Sequence, residues 1–169
     1  MRDRAATLVQ GHRERLARAV GRPLAEPRAD ESVLEPADRS HMLEDARDLY
    51  WNELEWEHIT EEEATDGPPL SELAFPGLLA FVRGLLLTET NPDALAPAAP
   101  RPQVVADLLD FLAGRVLELE EALAAPPIEE EGRTRGELMM TDRLLDLVLY
   151  RYHGLTSDDV ERVEAARPG

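Results

Sequence analysis

The sequence predicts an all-α protein from three observations. Apolar residues recur with helical period, strand-like alternation is nearly absent, and prolines separate the helical segments. The chain has 169 residues, of which 43% are hydrophobic, and this suits one domain with one core. We expect a compact single-domain bundle of about five main helices and one or two short ones. It divides into a basic amphipathic N-terminal helix (residues 1–22), a polar connector (residues 23–35) and an acidic helical core domain (residues 36–166).

The first predicted helix covers about residues 3–20. Its buried face is a stripe at helical spacing, formed by Ala5, Leu8, Val9, His12, Leu16 and Val20. The second helix begins near Pro36, because proline fits the first turn of a helix, and it extends to about residue 59. Thr60 and Glu63 have the spacing of a capping box, so we expect the chain to break and restart there.

The third predicted helix, near residues 76–89, is apolar on all sides. A helix of this kind is normally central and buried. We therefore expect the second, fourth and fifth helices to surround it. The fourth helix is predicted to open at Pro102, and leucine and valine residues mark its buried face.

The C-terminal part is predicted to contain one long and one short helix. An exposed acidic loop over residues 125–136 precedes the long helix, which covers about residues 137–153. Gly154 is well placed to end it in the left-handed conformation. Thr156 and Asp159 resemble a capping box that starts the last short helix, with aspartate in the usual glutamate position.

The charge balance restricts the possible partners. Thirty-five acidic residues against 18 basic ones give a net charge of −17, and every basic residue is arginine. So acidic a surface repels nucleic acid phosphates and anionic membranes. The chain has no cysteine, which excludes disulfides, thiolate catalysis and cysteine-based zinc sites.

Acidity combined with a complete lack of lysine resembles the composition of proteins from extreme halophiles, and we place the chain with acidic halophile-type proteins. The resemblance implies that a dense carboxylate shell keeps the protein hydrated at high salt. High-GC codon usage would also favour arginine over lysine. A specific acidic role, such as binding a basic partner or mimicking DNA, is the competing explanation.

Residues 1–22 depart from this acidity, with six arginines against two acidic residues. We expect this basic helix to dock on the acidic body or on an acidic neighbouring subunit. Residues 1–22 also lack the apolar region of a signal peptide. The longest apolar stretch, residues 73–87, is shorter than the roughly 20 residues that a spanning helix needs. We expect a cytoplasmic protein with no membrane partner.

Arg83 is the one charged residue of that apolar stretch, and burying it would require a partner. Glu53 and Glu57 lie near the predicted core face of the second helix. We predict an ion-pair site of Arg83 with one or both glutamates, and Asp107 or Asp110 is the fallback partner. Alternatively, Arg83 binds an anionic ligand in a pocket.

Glu55 and His58 place a carboxylate and an imidazole one helical turn apart. Di-iron bundles use this spacing twice, together with two further glutamates, and no second copy occurs here. We interpret the pair as a solvated helix face and predict no metal, cofactor or catalytic residue. Trp51 and Trp56 lie on opposite flanks of the second helix, and the edge of the core is the default interpretation of both. They are also candidate interface residues, because tryptophan is enriched at binding hot spots.

The segment TDRLLDLVLYRYHGLTSDDVERVEA, residues 141–165, resembles the helical tail of type II restriction–modification methyltransferases. Gly154, Leu155 and Thr156 match the Gly-Leu-Thr of that tail. Tyr152 and His153 depart from its preceding Leu-Tyr. The segment contains no catalytic or cofactor-binding residue of that family, so the resemblance implies no activity.

The first functional hypothesis is a non-enzymatic protein-interaction or regulatory module in a salt-adapted cytoplasm, with a protein partner or self-association. Enzymatic activity stays open: the alternative is a small helical enzyme or a metal- or anion-binding protein with a site near Arg83, Glu53, Glu57 and His58. A second alternative is an acidic decoy for basic DNA-binding surfaces, whose binding would weaken steeply with salt.

Overall fold

The computed structural model describes residues 2–27, 34–57, 75–86, 100–125 and 131–166, and every regular element in these ranges is an α-helix. The predicted all-α fold is confirmed. The described ranges contain α1 (Arg2–Val20), α2 (Pro36–Glu57), α3 (Pro76–Leu86), α4 (Pro102–Ala124), α5 (Glu131–Tyr152) and α6 (Ser157–Ala166). Within these ranges, no helix has both the length and the apolar character needed to cross a bilayer.

The α4–α5 pair forms the centre of the bundle and makes its most extensive helix–helix contact. Helix α1 packs on α4, α5 and α6, whereas α2 packs on α3 and α4. Each central helix carries a long buried apolar stripe. In α4 this stripe includes Val105, Leu108, Leu112 and Val116, and in α5 it includes Leu144, Leu145, Val148 and Leu149.

Helix α1 attaches to this centre through the predicted stripe. Ala5, Val9, Leu16 and Val20 are all buried. His12 lies within the same stripe and is also buried, so a polar ring is enclosed among apolar neighbours. A buried polar ring requires hydrogen-bond partners, and for His12 these come from α5.

The prediction that α3 is buried on all sides is wrong. One face carries the buried residues Leu78, Leu79, Val82 and Leu85. The other face is exposed at Ala80, Arg83 and Gly84. Helix α3 does contact α2, α4 and α5, but it meets them along one face. The residues exposed on its solvent side are small ones and one arginine.

Helix α5 starts six residues earlier than predicted, so residues 131–136 are helical and not part of a loop. Two ion pairs at helical spacing stabilise the early turns. Arg135 lies 2.6 Å from Glu131, and Arg133 lies 3.4 Å from Glu137. Gly136 is buried, so tertiary packing also holds this turn despite the low helix propensity of glycine.

The predicted features between α5 and α6 are confirmed. Gly154 has φ +60°, the left-handed conformation expected of a helix terminator. The Asp159 backbone N–H donates to Thr156 Oγ1, and the Thr156 N–H donates to Asp159 Oδ2, both at 3.1 Å. This reciprocal pair is a capping box. The capping box predicted at Thr60 lies outside the described residues.

Candidate functional site

The predicted ion-pair site does not form as expected, because Arg83 is exposed. The Glu53 carboxylate accepts hydrogen bonds from the backbone N–H groups of Gly77 at 2.6 Å and Leu78 at 3.1 Å. No ion pair joins Arg83 to Glu53 or to Asp107, all of which are described, and Asp107 instead accepts two hydrogen bonds from Arg39. The side chain of Glu57 lies outside the described residues, so a pair of Arg83 with Glu57 stays a prediction.

Glu53 therefore caps the N-terminus of α3 from a neighbouring helix. The first N–H groups of a helix have no partner within it, and a carboxylate there also interacts favourably with the helix dipole. Gly77 allows the close approach, since a Cβ atom at this position would lie 2.6 Å from Glu53 Oε1. The helical wheel predicted that Glu53 has a partner on another helix, but this partner is the backbone of α3 and not the Arg83 side chain.

The candidate metal pair, Glu55 and His58, lies outside the described side chains. Among the residues whose side chains are described, no cluster of three or more histidines and carboxylates is arranged to hold a metal ion. The Glu55–His58 interpretation stays a prediction.

Trp51 is the most exposed large apolar side chain in the described part of the chain, with 42% of its surface accessible. Its ring packs edge-on against Tyr50 and Phe111, with centroid distances of 5.1 and 6.4 Å. The Arg115 guanidinium lies 4.8 Å from the ring centroid. The side chain of Trp56, the other predicted interface residue, lies outside the described residues.

Two arginines accompany these aromatic rings. Arg47 of α2 is exposed, and its guanidinium lies 5.2 Å from the centroid of Phe111 on α4. Arg115 donates to Glu118 and Glu137, so carboxylates neutralise its charge. We call Arg47, Trp51, Phe111 and Arg115 the Trp51 surface. It combines an exposed tryptophan with arginine, the residue types enriched at binding hot spots.

A buried ionic cluster joins α1 to α5. His12 Nδ1 lies 2.7 Å from Asp146 Oδ1, and His12 Nε2 lies 3.1 Å from Asp142 Oδ1. Arg15 Nη2 donates to both oxygens of Asp146, at 2.5 and 2.7 Å. The side chain of Asp146 is completely buried, whereas that of Asp142 is 40% exposed. One buried carboxylate thus receives two cationic groups from α1.

The protonation states of the cluster follow from these contacts. Burial lowers the pKa of His12, but the hydrogen bonds to Asp142 and Asp146 outweigh burial and raise that pKa to about 9. Burial raises the pKa of Asp146, yet its bonds to His12 and Arg15 bring it below its ordinary value. At neutral pH His12 is therefore protonated and Asp146 is ionised, next to the guanidinium of Arg15.

His153, which follows α5, lies in an environment that favours the neutral form of its ring, the opposite of His12. Its Nδ1–H donates to the carbonyl of Ala25 at 2.7 Å, and its Nε2 accepts from Arg13 Nε at 3.1 Å. These partners fix the neutral tautomer. Burial lowers the pKa of His153, and the nearby charge of Arg13 lowers it further.

The ionic cluster holds α1 in place but is not arranged for catalysis. Both nitrogens of His12 face carboxylates, so neither is directed at a substrate or a nucleophile. Arg22 adds two bonds to Asp159 at 2.9 and 2.6 Å, in support of the expectation that the basic helix docks on the acidic body. The sequence predicted the docking from net charge, but the individual partners lie more than 130 residues away along the chain.

Several surface grooves occur in the described part of the chain, and two of them lie between central helices and their neighbours. A groove of about 580 Å³ lies between α1 and α4 and is bordered by Gln10, Arg13 and Asp110. Another, of about 440 Å³, lies between α5 and α6, next to Tyr150 and Glu164. Neither is lined by Arg83 or Glu53, the residues proposed for an enzymatic site.

No protein-family model matches this chain, and no curated protein or solved structure is significantly similar to it.

Proposed function

We propose that this chain is a non-enzymatic protein-interaction module that binds a protein partner through the Trp51 surface. The observation that carries the proposal is that 42% of the Trp51 surface is exposed while neighbouring rings hold its side chain in place. Tyr50 is fully buried beneath it and stacks on Phe75 with a centroid distance of 5.6 Å. A rigid aromatic side chain loses little conformational entropy on binding, which favours its use as an interface anchor.

The electrostatics of this region support a contact surface. The exposed Arg47 places its guanidinium beside Phe111, where cation–π attraction holds it without removing its hydrogen-bonding capacity. Arg115 packs on the Trp51 ring and is already paired with Glu118 and Glu137. A partner could therefore meet apolar area and polar donors within one small patch. Interfaces of well-characterised complexes have this combination of an aromatic centre and a polar rim.

The experiment that tests this proposal uses a photoreactive benzoylphenylalanine at position 51, irradiated in the native cells at their own internal salt. The matched control places it at Arg162, an exposed residue of α6. Discrete protein adducts that form from position 51 and not from position 162 support the proposal. Identical adducts from both positions, or none from position 51, would overturn it.

We propose further that the acidic surface is an adaptation to a salt-rich cytoplasm. The composition supports this, since 35 acidic residues face 18 arginines and no lysine. Screening by salt reduces the self-repulsion of a net charge of −17. The free energy of unfolding, measured with urea at increasing KCl, should rise steadily into the molar range. A free energy that is flat or falls with KCl would contradict the adaptation.

A further inference from the structure

We propose that His153 and Arg13 form an acid-operated switch. When the His153 ring takes up a proton, the Arg13 guanidinium leaves its position beside that ring and moves into the groove between α1 and α4. The two hydrogen bonds of His153, the position of Arg13 and the other contacts that hold α1 support this switch. It uses no residue of the Trp51 surface, so it is independent of the proposed function.

The hydrogen bonds of His153 suit only a neutral ring. The Ala25 carbonyl can only accept, so Nδ1 carries the proton of the 2.7 Å bond between them. Arg13 Nε is a permanent donor, because a guanidinium keeps its protons in proteins, so His153 Nε2 is the acceptor of the 3.1 Å bond. A second proton on the ring would point Nε2–H directly at the Nε–H of Arg13.

Protonation breaks one of these two bonds and spares the other. Nδ1 keeps its proton, so the bond to the Ala25 carbonyl persists and becomes charge-assisted. Nε2 can no longer accept, so the bond from Arg13 is lost and two cations are left in contact. Only 5% of His153 is exposed, so little water screens their repulsion. Arg13 is only half-buried, and it is therefore the partner that moves.

The surroundings of His153 set the pH at which this happens. Among the described residues, the charged groups that face it are Arg13 of α1 and Glu26 of the segment after α1. The Tyr152 ring lies edge-on to it, with a centroid distance of 4.8 Å, and a tyrosine is neutral at these pH values. Burial lowers the pKa of His153 and Arg13 lowers it further, whereas Ala25 and Glu26 only partly oppose them. Arg13 is therefore held at neutral pH and released in acid, below pH 6.5.

Arg13 lies between two environments. On one side, its guanidinium lies 5.4 Å from the centroid of the Tyr152 ring. On the other side, Arg13 borders the groove of about 580 Å³ between α1 and α4. Glu14 and Asp110 border the same groove, and their carboxylates make it favourable for a displaced cation. Because Arg13 borders both environments, a change of its side-chain rotamer carries the charge from one to the other.

The other ionic contacts of α1 persist in the same pH range. Arg15 and His12 bind Asp146, and Arg22 binds Asp159 at the start of α6. Burial raises the pKa of Asp146, but its bonds to His12 and Arg15 bring it below its ordinary value. The bonds from Arg22 lower the pKa of Asp159. Both carboxylates stay ionised in mild acid, so protonation of His153 moves one side chain and leaves the helix docked.

NMR spectroscopy of the full chain, from about pH 7.5 to about pH 5 at fixed KCl, tests the switch. The Tyr152 ring shifts the signals of the Arg13 side chain above it. On acidification these signals should move to the positions of an arginine away from any ring, with the same midpoint as the His153 imidazole. Nuclear Overhauser contacts from Arg13 to Tyr152 should be replaced by contacts to the methyl group of Ala106, which lines the groove on α4.

Two variants separate the trigger from the destination. His153→Gln removes the titrating group, so the Arg13 signals should lose their pH dependence, whereas His41→Gln, at an exposed position of α2, should preserve it. Asp110→Asn makes the groove less favourable for the cation and should lower the midpoint of both titrations by about 0.3 pH units. Asp45→Asn, the same change at an exposed position of α2, should leave the midpoint in place.

Three results would overturn the switch. The first is a set of Arg13 signals that stays unchanged while His153 titrates. The second is an Arg13 side chain that leaves Tyr152 in acid without approaching Ala106. The third is loss of the backbone amide signal of Leu16 with the midpoint of His153, since the whole of α1 would then undock. The wild-type titration decides each of these, even if a variant does not fold.

Discussion

His12 Nδ1 of α1 lies 2.7 Å from Oδ1 of Asp146 of α5, a carboxylate with no solvent-accessible surface. The two residues join elements that are 134 positions apart in the sequence. A buried carboxylate is tolerated only when it is paired and hydrogen-bonded. Asp146 meets this requirement with groups from α1, since Arg15 also binds both of its oxygens.

Removal of this carboxylate should destabilise the fold strongly. Asp146→Ala leaves the charges of His12 and Arg15 without their shared partner, and we expect the free energy of unfolding to fall by about 3–5 kcal/mol. Urea denaturation at fixed KCl measures the change. Asp142→Ala is the control: this carboxylate is 40% exposed, and its loss should cost about 1 kcal/mol. Equal losses in the two variants would contradict the role given to burial.

Alkaline pH should weaken the attachment of α1. The pKa of His12 rises from 6.5 to about 9 in the folded chain, so the folded state retains a proton that the unfolded state loses. The resulting stabilisation is complete below pH 6.5 and disappears as the pH rises through about 9. It amounts to at most about 3 kcal/mol.

Urea denaturation of His12→Gln at pH values from about 6 to about 9.5 tests this prediction. The variant should be less stable at neutral pH and should lose most of the pH dependence. His41→Gln, at an exposed position of α2, should keep the wild-type slope. If the stability of His12→Gln keeps the wild-type dependence on pH, another group is responsible for that dependence.

Acidic pH should lower the stability of the fold through His153, which contacts α1. Its pKa is lowered by burial and by Arg13, so the unfolded state takes up a proton more readily than the folded state. Stability at this site is therefore present above the unfolded pKa of 6.5 and is lost as the pH falls towards the folded value. Arg13→Gln should raise the pKa of His153, observed as a shift of its imidazole NMR titration towards higher pH. Arg18→Gln, which changes an exposed arginine of α1, should leave that titration in place.

The cap that Glu53 provides to α3 should be measurable. Glu53→Ala leaves the N–H groups of Gly77 and Leu78 without their carboxylate, and it should cost about 1–2 kcal/mol. Gly77→Ala should displace the same carboxylate, because the new Cβ would lie 2.6 Å from its oxygen. The two changes should be strongly non-additive in a double-mutant cycle, since each removes the same contact. Additive losses of stability would show that the two substitutions remove different contacts. Glu44→Ala, at an exposed position of α2, is the matched control.

The sequence predicted the features that depend on local chemistry. The apolar stripe of α1, the start of α2 at Pro36, Gly154 as a terminator and the capping box at Thr156 all follow from residues within a few positions of each other. These features need no knowledge of how the helices pack, so one sequence was sufficient to predict them.

The features that the sequence did not predict depend on tertiary contacts. An apolar helical wheel indicated that α3 is buried, but it could not show that Arg83 lies on a side to which no described helix packs. The pairing of His12 with Asp146 depends on how α1 crosses α5, and His12 in the sequence is only a polar residue within an apolar stripe. Two ion pairs and the packing of Gly136 stabilise the early start of α5. The prolines and glycines nearby had indicated a loop at these residues.

The dependence of α1 on α5 and α6 has a consequence for the order in which the chain folds during synthesis. The ribosome produces α1 first, but the carboxylates that fix it, Asp146 and Asp159, emerge more than 120 residues later. Until then, the apolar face of α1 lacks its native neighbours in α5 and α6 and is open to chaperones or to incorrect contacts. Native contacts between such distant parts of a chain also slow folding. We therefore expect α1 to dock late, with the pairing of His12 and Asp146 among the last native contacts to form.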